Sequence, residues 1–254
     1  MASPSLSPLR SPLELLRRTP ALVLAMAVLG GGLTLAAAVA VKGLRSANDT
    51  ITVTGSSTER IRSDFADWTV VVVASGASQQ EAYQALQPAL QRTTAFLREQ
   101  GIPAAAISSG SVKTEQQQVR DPRTGELRST SWSASQTVKV SSSDVAKVQA
   151  VTAAIASLIG QGVPLTIQEP AYTYTKLAEK RVDMLAKATR DARQRAVAIA
   201  REAGSGIGAI TNADTGTFQI TVPNSTEMGS YGSYDTSTID KDITAVMGVT
   251  FRVQ

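Results

Sequence analysis

Two residue types with reactive side chains are missing from this 254-residue chain, which has no cysteine and no histidine. Their absence removes disulfides, thiolate nucleophiles, imidazole general bases and the usual ligand sets of zinc sites. Aromatic residues are scarce at 4% against 43% apolar content, so a core must be assembled largely from small aliphatic side chains. The length suits one large or two modest domains. A net charge of +4 suggests a basic protein, but five basic residues and one acidic residue precede position 46, leaving 20 of each sign in the rest. The basicity belongs to a leader and argues for membrane topology rather than phosphate binding; no nucleic-acid partner is expected.

The leader has three parts. Residues 1–18 are rich in Pro and Ser and read as a disordered cytoplasmic segment. Residues 19–41 form an uncharged 23-residue run, TPALVLAMAVLGGGLTLAAAVAV, which as a helix would reach roughly 35 Å and span a bilayer. Arg10, Arg17 and Arg18 before it, against Lys42 and Arg45 after it, favour a single pass through the inner (plasma) membrane, the amino terminus cytoplasmic and the main domain periplasmic or extracytoplasmic. The alternative is secretion to the periplasm after cleavage near Ala40, where Ala38-Val39-Ala40 offers an A-x-A site. Residues 42–50 form a linker to a body at 51–254.

The body alternates strand and helix signals in the order ββαββαβαββ, an α+β fold with three helices packed on an antiparallel sheet. In FADWTVVVVASG both faces look apolar, Trp68, Val70 and Val72 alternating with Thr69, Val71 and Val73. Ser78 and Glu81 make a capping box for a helix that carries Tyr83, Leu86, Leu90 and Leu97 on one face and that Pro88 should kink. TSWSASQTVKV places Trp132, Ala134, Val138 and Val140 opposite a row of Ser, Thr and Lys. A second helix carries Val145, Val148, Thr152, Ile155 and Ile159. One strand through VPLTIQEPAYTYT, a helix from about Lys176 to Ala203, and a last strand with Ile243, Ala245, Met247, Val249, Phe251 and Val253 on one face complete the body.

The third helix contains KATRDARQRAVAIAREAG. Leu185, Ala188, Ala192, Ala196, Ile199 and Ala203 form a narrow stripe that allows a close approach to a neighbouring element, near the low end of the ~8–10 Å interaxial range. Charges crowd the other side, with Asp191 four residues from both Lys187 and Arg195. The helix is read either as close-packed on the protein's own sheet with a solvated charged face, or as laying that charged face against another subunit or a partner. GSGIG after it is a helix stop at Gly204, since it follows a helix where a phosphate loop would open one.

The stretches ITVTGSSTERIRSDFADWTV, LREQGIPAAAISSGSV and DMLAKATRDARQRAVAIAREAGSGIGAI together resemble the SIMPL family of bacterial periplasmic and outer-surface proteins, over residues 51–254. The resemblance rests on the Val-x-Gly start at Val53 and Gly55, on the FADWTV strand, and on Asp191-Ala192 and Arg195-Ala196 closing on Gly204. Ser63-Asp64 stands where Pro-Asp is usual in the family. The resemblance implies an α+β fold, an exported location, a non-enzymatic role linked to oxidative-stress tolerance and surface antigens, and ring-like or channel-like homo-oligomers. It supplies no catalytic residues.

The residues themselves offer little chemistry. G-x-x-x-x-G-K-[ST], G-x-S-x-G and S-x-x-K are all absent. Asp64 with Asp67, and Asp240 with Asp242, are carboxylate pairs without an apolar setting to separate their pKa values. Asp235, Asp240 and Asp242 lack the spacing of a calcium loop. The expectation is therefore no enzyme, no cofactor and no metal, with a homo-oligomer, the membrane through residues 19–41 and an unidentified protein as partners. The long polar loop with Tyr231 and Tyr234 is a second candidate contact surface. The competing reading is a cleaved, soluble periplasmic ligand-binding module.

Overall fold

The computed structural model describes residues 26–34, 36–37, 49–225 and 232–254. Most of the expected membrane span at 19–41, and the segments 1–18 and 42–48, lie outside these residues. Residues 26–34 are helical and exposed, and among the described residues no helix is long and apolar enough to cross a membrane.

The elements are β1 (Thr50–Arg62), β2 (Phe65–Gly76), α1 (Gln79–Glu99), β3 (Ile107–Arg120), β4 (Leu127–Ser142), α2 (Val145–Ala154), α3 (Ala156–Gly160), β5 (Leu165–Ile167), β6 (Ala171–Thr173), α4 (Leu177–Glu202), β7 (Ile207–Thr221) and β8 (Asp240–Val253). The α+β class holds, but two departures from the expected order are clear. There are two sheets, β1-β8-β7 and β3-β4-β2-β5, with β6 also on β2. The chain leaves one sheet for the other at Ser63-Asp64, whose N–H groups bond to Ile239 O (2.8 Å) and Thr173 O (3.0 Å) instead of closing a β1–β2 hairpin. Serine suits this place, because a proline there would have no N–H to donate.

The second departure is local. The expected second helix divides at Ile155, and the strand after it divides into β5 and β6. Pro170 stands between these two short strands, and the intervening Gln168 accepts the indole N–H of Trp68 at 2.8 Å.

Two compact units partition the chain. The larger consists of Thr54–Arg193 and Asp214–Gly248. Its main core lies between the five-stranded sheet and the helices α1, α2 and α3, where β2 pairs β4 from Ala66↔Ser142 to Gly76↔Trp132. Only one face of β2 is fully buried (Ala66, Trp68, Val70, Val72, Ala74); Thr69, Val71 and Val73 are half-buried, so the expectation of two buried faces fails. α1 buries Ala82, Leu86, Ala89, Thr93 and Leu97, while Tyr83 is exposed and Pro88 sits within the helix without ending it. The Ser78 hydroxyl caps Glu81 N, and Glu81 reaches back to Ala77 N at 2.9 Å, one residue beyond a standard capping box. α2 and α3 bury Val145, Val148, Val151, Ile155 and Leu158; Ile159 is exposed and Thr152 only partly covered.

The smaller unit contains Gln194–Ala213, Val249–Gln254 and the residues up to Val53. In it the end of α4 is closed by Gly204 at φ +70°, with Ser205 N bonded to Ala200 O at 2.8 Å, the expected glycine stop. Gly206 and Gln254 exchange two backbone bonds of 2.9 Å, and Thr52 and Thr250 pair through their hydroxyls at 2.9 Å.

Candidate functional site

The helix singled out from the sequence forms as expected, over Leu177–Glu202, but its buried row is different. Met184, Ala188, Ala192, Ala196 and Ala200 are buried. Leu185 is half-buried, Ile199 is 52% exposed, and Ala203 is exposed. The true row advances by four residues each time, the i±4n ridge of a helix, which is inclined to the axis. The expected stripe mixed steps of three and four and so strayed off it at both ends.

What Ala188 and Ala192 lie against is the backbone of β1. A methyl group placed on Gly55 would sit 2.2 Å from Ala188 O, 2.4 Å from Ala192 N and 2.7 Å from Ala192 Cβ. Glycine on the strand and alanine on the helix are thus one feature, a contact in which neither partner has room for another carbon. Asp191 seals it by accepting a bond from Ser56 N at 2.8 Å, which satisfies an outward N–H on an edge strand. Val53 is buried and Arg195 exposed.

Charge reinforces the same contact one turn away. Glu59 on β1 bonds Lys180 and, at 2.6 Å, Lys187, and Lys187 also meets Asp183 at 2.9 Å. Lys187 therefore turns to Glu59 and Asp183 where the sequence suggested Asp191. The Lys180 and Lys187 ammonium groups hold the Glu59 carboxyl below its usual range, and the bonds to Glu59 and Asp183 raise the pKa of Lys187. Arg181 lies over the Phe218 ring, 4.6 Å from its centroid.

A second cluster was not foreseen. Lys241 takes the place on β8 where alternation calls for an apolar residue, and it is fully buried. Its ammonium bonds Asp235 at 3.0 Å and the Thr238 carbonyl. Burial would raise the pKa of Asp235, but the hydroxyls of Thr238 and Ser237, the Ser237 N–H and Lys241 outweigh it and hold the carboxyl well below its ordinary value. The segment 232–239 that carries this cluster is ordered: Tyr172 N bonds Thr236 O at 2.7 Å, and the Tyr234 hydroxyl accepts from Tyr174 N at 3.1 Å. Tyr231 lies outside the described residues. Only the parity of the last strand could have flagged Lys241, two residues before Ile243 on the same face.

The acidic pairs do not assemble. Asp64 accepts from Thr175 N at 2.7 Å, Asp67 bonds Ser141 at 2.6 Å and Lys139 at 2.8 Å, and Asp242 bonds Arg60 at 2.9 Å. Asp242 is lowered by the Arg60 guanidinium; at Asp67, burial pushes upward and the bonds to Lys139 and Ser141 more than offset it. The carboxyls of Glu59, Asp67, Asp121, Asp183, Asp235 and Asp242 are all displaced downward, so none of these is a proton donor near neutral pH. No group of three or more potential metal-ligating His, Cys, Asp or Glu side chains comes together among the described residues. A pocket of about 420 Å³ opens beside the Lys241 segment, with Tyr172, Pro223 and Ile239 as apolar wall and Arg62, Asp240 and Gln149 at its rim.

The strand edges differ in how they are covered. β1 is blocked at Ser56 by Asp191, and β2 by β5 and β6. β7 is exposed throughout 209–217, and β3 is exposed from 115 to 120 on both faces. Beyond Gly76↔Trp132, the β3–β4 hairpin continues as a two-stranded ribbon to the Asp121–Glu126 turn, where Asp121 pairs with Arg128 at 2.5 Å.

The family model described as SIMPL, protein of unknown function (DUF541), matches residues 51–251. No curated protein matches the chain.

Proposed function

For a chain that belongs to the SIMPL family, we propose a non-enzymatic role as a membrane-anchored, extracytoplasmic protein that works through homo-oligomeric, ring-like assembly and protein contacts, in envelope stress tolerance. The observation that carries the assembly is the pair of long uncovered edges, β3 and β7. Such edges template strand pairing, and a closed oligomer removes them from solvent. The uncharged run at 19–41 supports the anchor. Light scattering on the detergent-extracted protein is expected to give a protein mass several times 26.6 kDa; a monomer across micromolar concentrations refutes assembly. Protease added to spheroplasts is expected to digest the body, and survival of the body refutes the location.

The pocket at Arg62 and Asp240 favours a second reading, a cleaved periplasmic module for a small ligand, since its volume falls within the range of ligand sites. Amino-terminal sequencing of the mature protein separates the two: a start at Val41 supports cleavage, and an intact leader supports the anchor.

A further inference from the structure

We propose that the β3 edge is a two-fold interface with a second copy of this chain, the strand pairing antiparallel with its own counterpart and Thr114 on the axis. The inference rests on the assembly reading above and names its surface.

In β3, Lys113 and Glu115 flank Thr114 and stand on the same face, opposite Ser135 and Ser133 of β4. Both are exposed, and neither has an ion-pair partner among the described residues. Thr114 points to the other face, where Gln79 of α1 donates to its hydroxyl at 3.0 Å. A lysine on an open edge ordinarily discourages pairing. Here the glutamate two residues away reverses that effect for one partner alone. In an antiparallel pairing centred on Thr114, Lys113 of each copy lies directly across from Glu115 of the other, so one contact yields two opposite-charge pairs. The same register sets Val112 against Gln116, and the interface is self-complementary as two-fold symmetry requires.

Other edges lack this property. β1 is blocked by Asp191, and the exposed stretch of β7 (AITNADTGT) carries a single charged residue. Pairing at β3 would join two five-stranded sheets into one continuous sheet and give the ribbon beyond Trp132 a neighbour; such two-stranded ribbons are marginal when isolated.

The test uses the full-length protein in detergent, with light scattering for mass and circular dichroism for folding. Lys113→Glu and Glu115→Lys each set like charges across the axis and are expected to weaken association about ten-fold or more; the double reversal Lys113→Glu/Glu115→Lys is expected to restore it. Because the chain has no cysteine, Thr114→Cys introduces a single thiol that meets its own copy and is expected to form a disulfide-linked dimer on mild oxidation. Gln118→Cys is the control, its two thiols being separated by about 26 Å in this register. If the native protein is oligomeric but the single charge reversals leave association unchanged, or Gln118→Cys cross-links in preference to Thr114→Cys, this interface is wrong and assembly through another surface stands. A monomeric native protein overturns both.

Discussion

α1 and α4 each lie on antiparallel strands, but they achieve burial by opposite means. α1 fills space: Leu86 and Leu97 reach down to Trp68, Val70 and Val72 in one cluster, with apolar side chains on both sides of the contact. At Gly55, α4 removes space, since neither the glycine nor Ala188 and Ala192 can accept another carbon. The first arrangement gains from area buried, the second from close contact and from the polar and ionic bonds that a short distance permits. The two contacts should therefore fail in opposite directions, one on losing volume and the other on gaining it.

The largest expected effect is on the α1 side, where Leu86→Ala leaves a cavity and should cost about 2–5 kcal/mol by urea titration. The opposite change, Ala192→Leu or Gly55→Ala, should cost about 1–3 kcal/mol by overpacking, although each adds apolar surface; an unchanged melting temperature would show that the close contact is not rigid. Asp191→Ala removes the bond to Ser56 N and should cost about 1 kcal/mol. The smallest effect is expected at Glu59→Gln, less than about 1 kcal/mol and further reduced by salt, because its ion pairs are partly exposed.

Acid offers a way to weaken the α4 contact more than the α1 contact. Glu59 has its pKa lowered on folding, so its stabilisation is complete above the unfolded-state value of about 4.3 and declines as pH falls through and below it. Hydrogen exchange at pH 3 should loosen the amino-terminal half of α4 before α1, whose core contains no carboxylate. Equal loosening of both helices would remove the distinction.

Much of this was legible in the sequence. The alternation of β4, the capping residues of α1, the span of α4 and the Gly204 stop all depend on local spacing, and the structure reproduces them. The partner of the alanines was not legible, because Gly55 and Ala192 are 137 positions apart and nothing local records which strand a helix will meet. The number of sheets was missed for a related reason: the two residues between β1 and β2 resemble a hairpin turn, and only their distant acceptors at Ile239 and Thr173 show otherwise. The row on α4 was misjudged because alanine is as acceptable on an exposed face as on a buried one, so Ala203 carried no information about its side.

Lys241 gives the last strand something that its aliphatic neighbours do not. Ile243, Ala245 and Met247 repeat with a period of two, and a slide of β8 by two residues would put a similar side chain in each apolar place. The ammonium group tolerates no such slide, because the anion it bonds, Asp235, is fixed to Ser237 and Thr238 nearby. A shifted strand would strand a cation in hydrocarbon, at a cost of several kcal/mol. One polar side chain thereby acts as the key that admits the final strand in a single alignment.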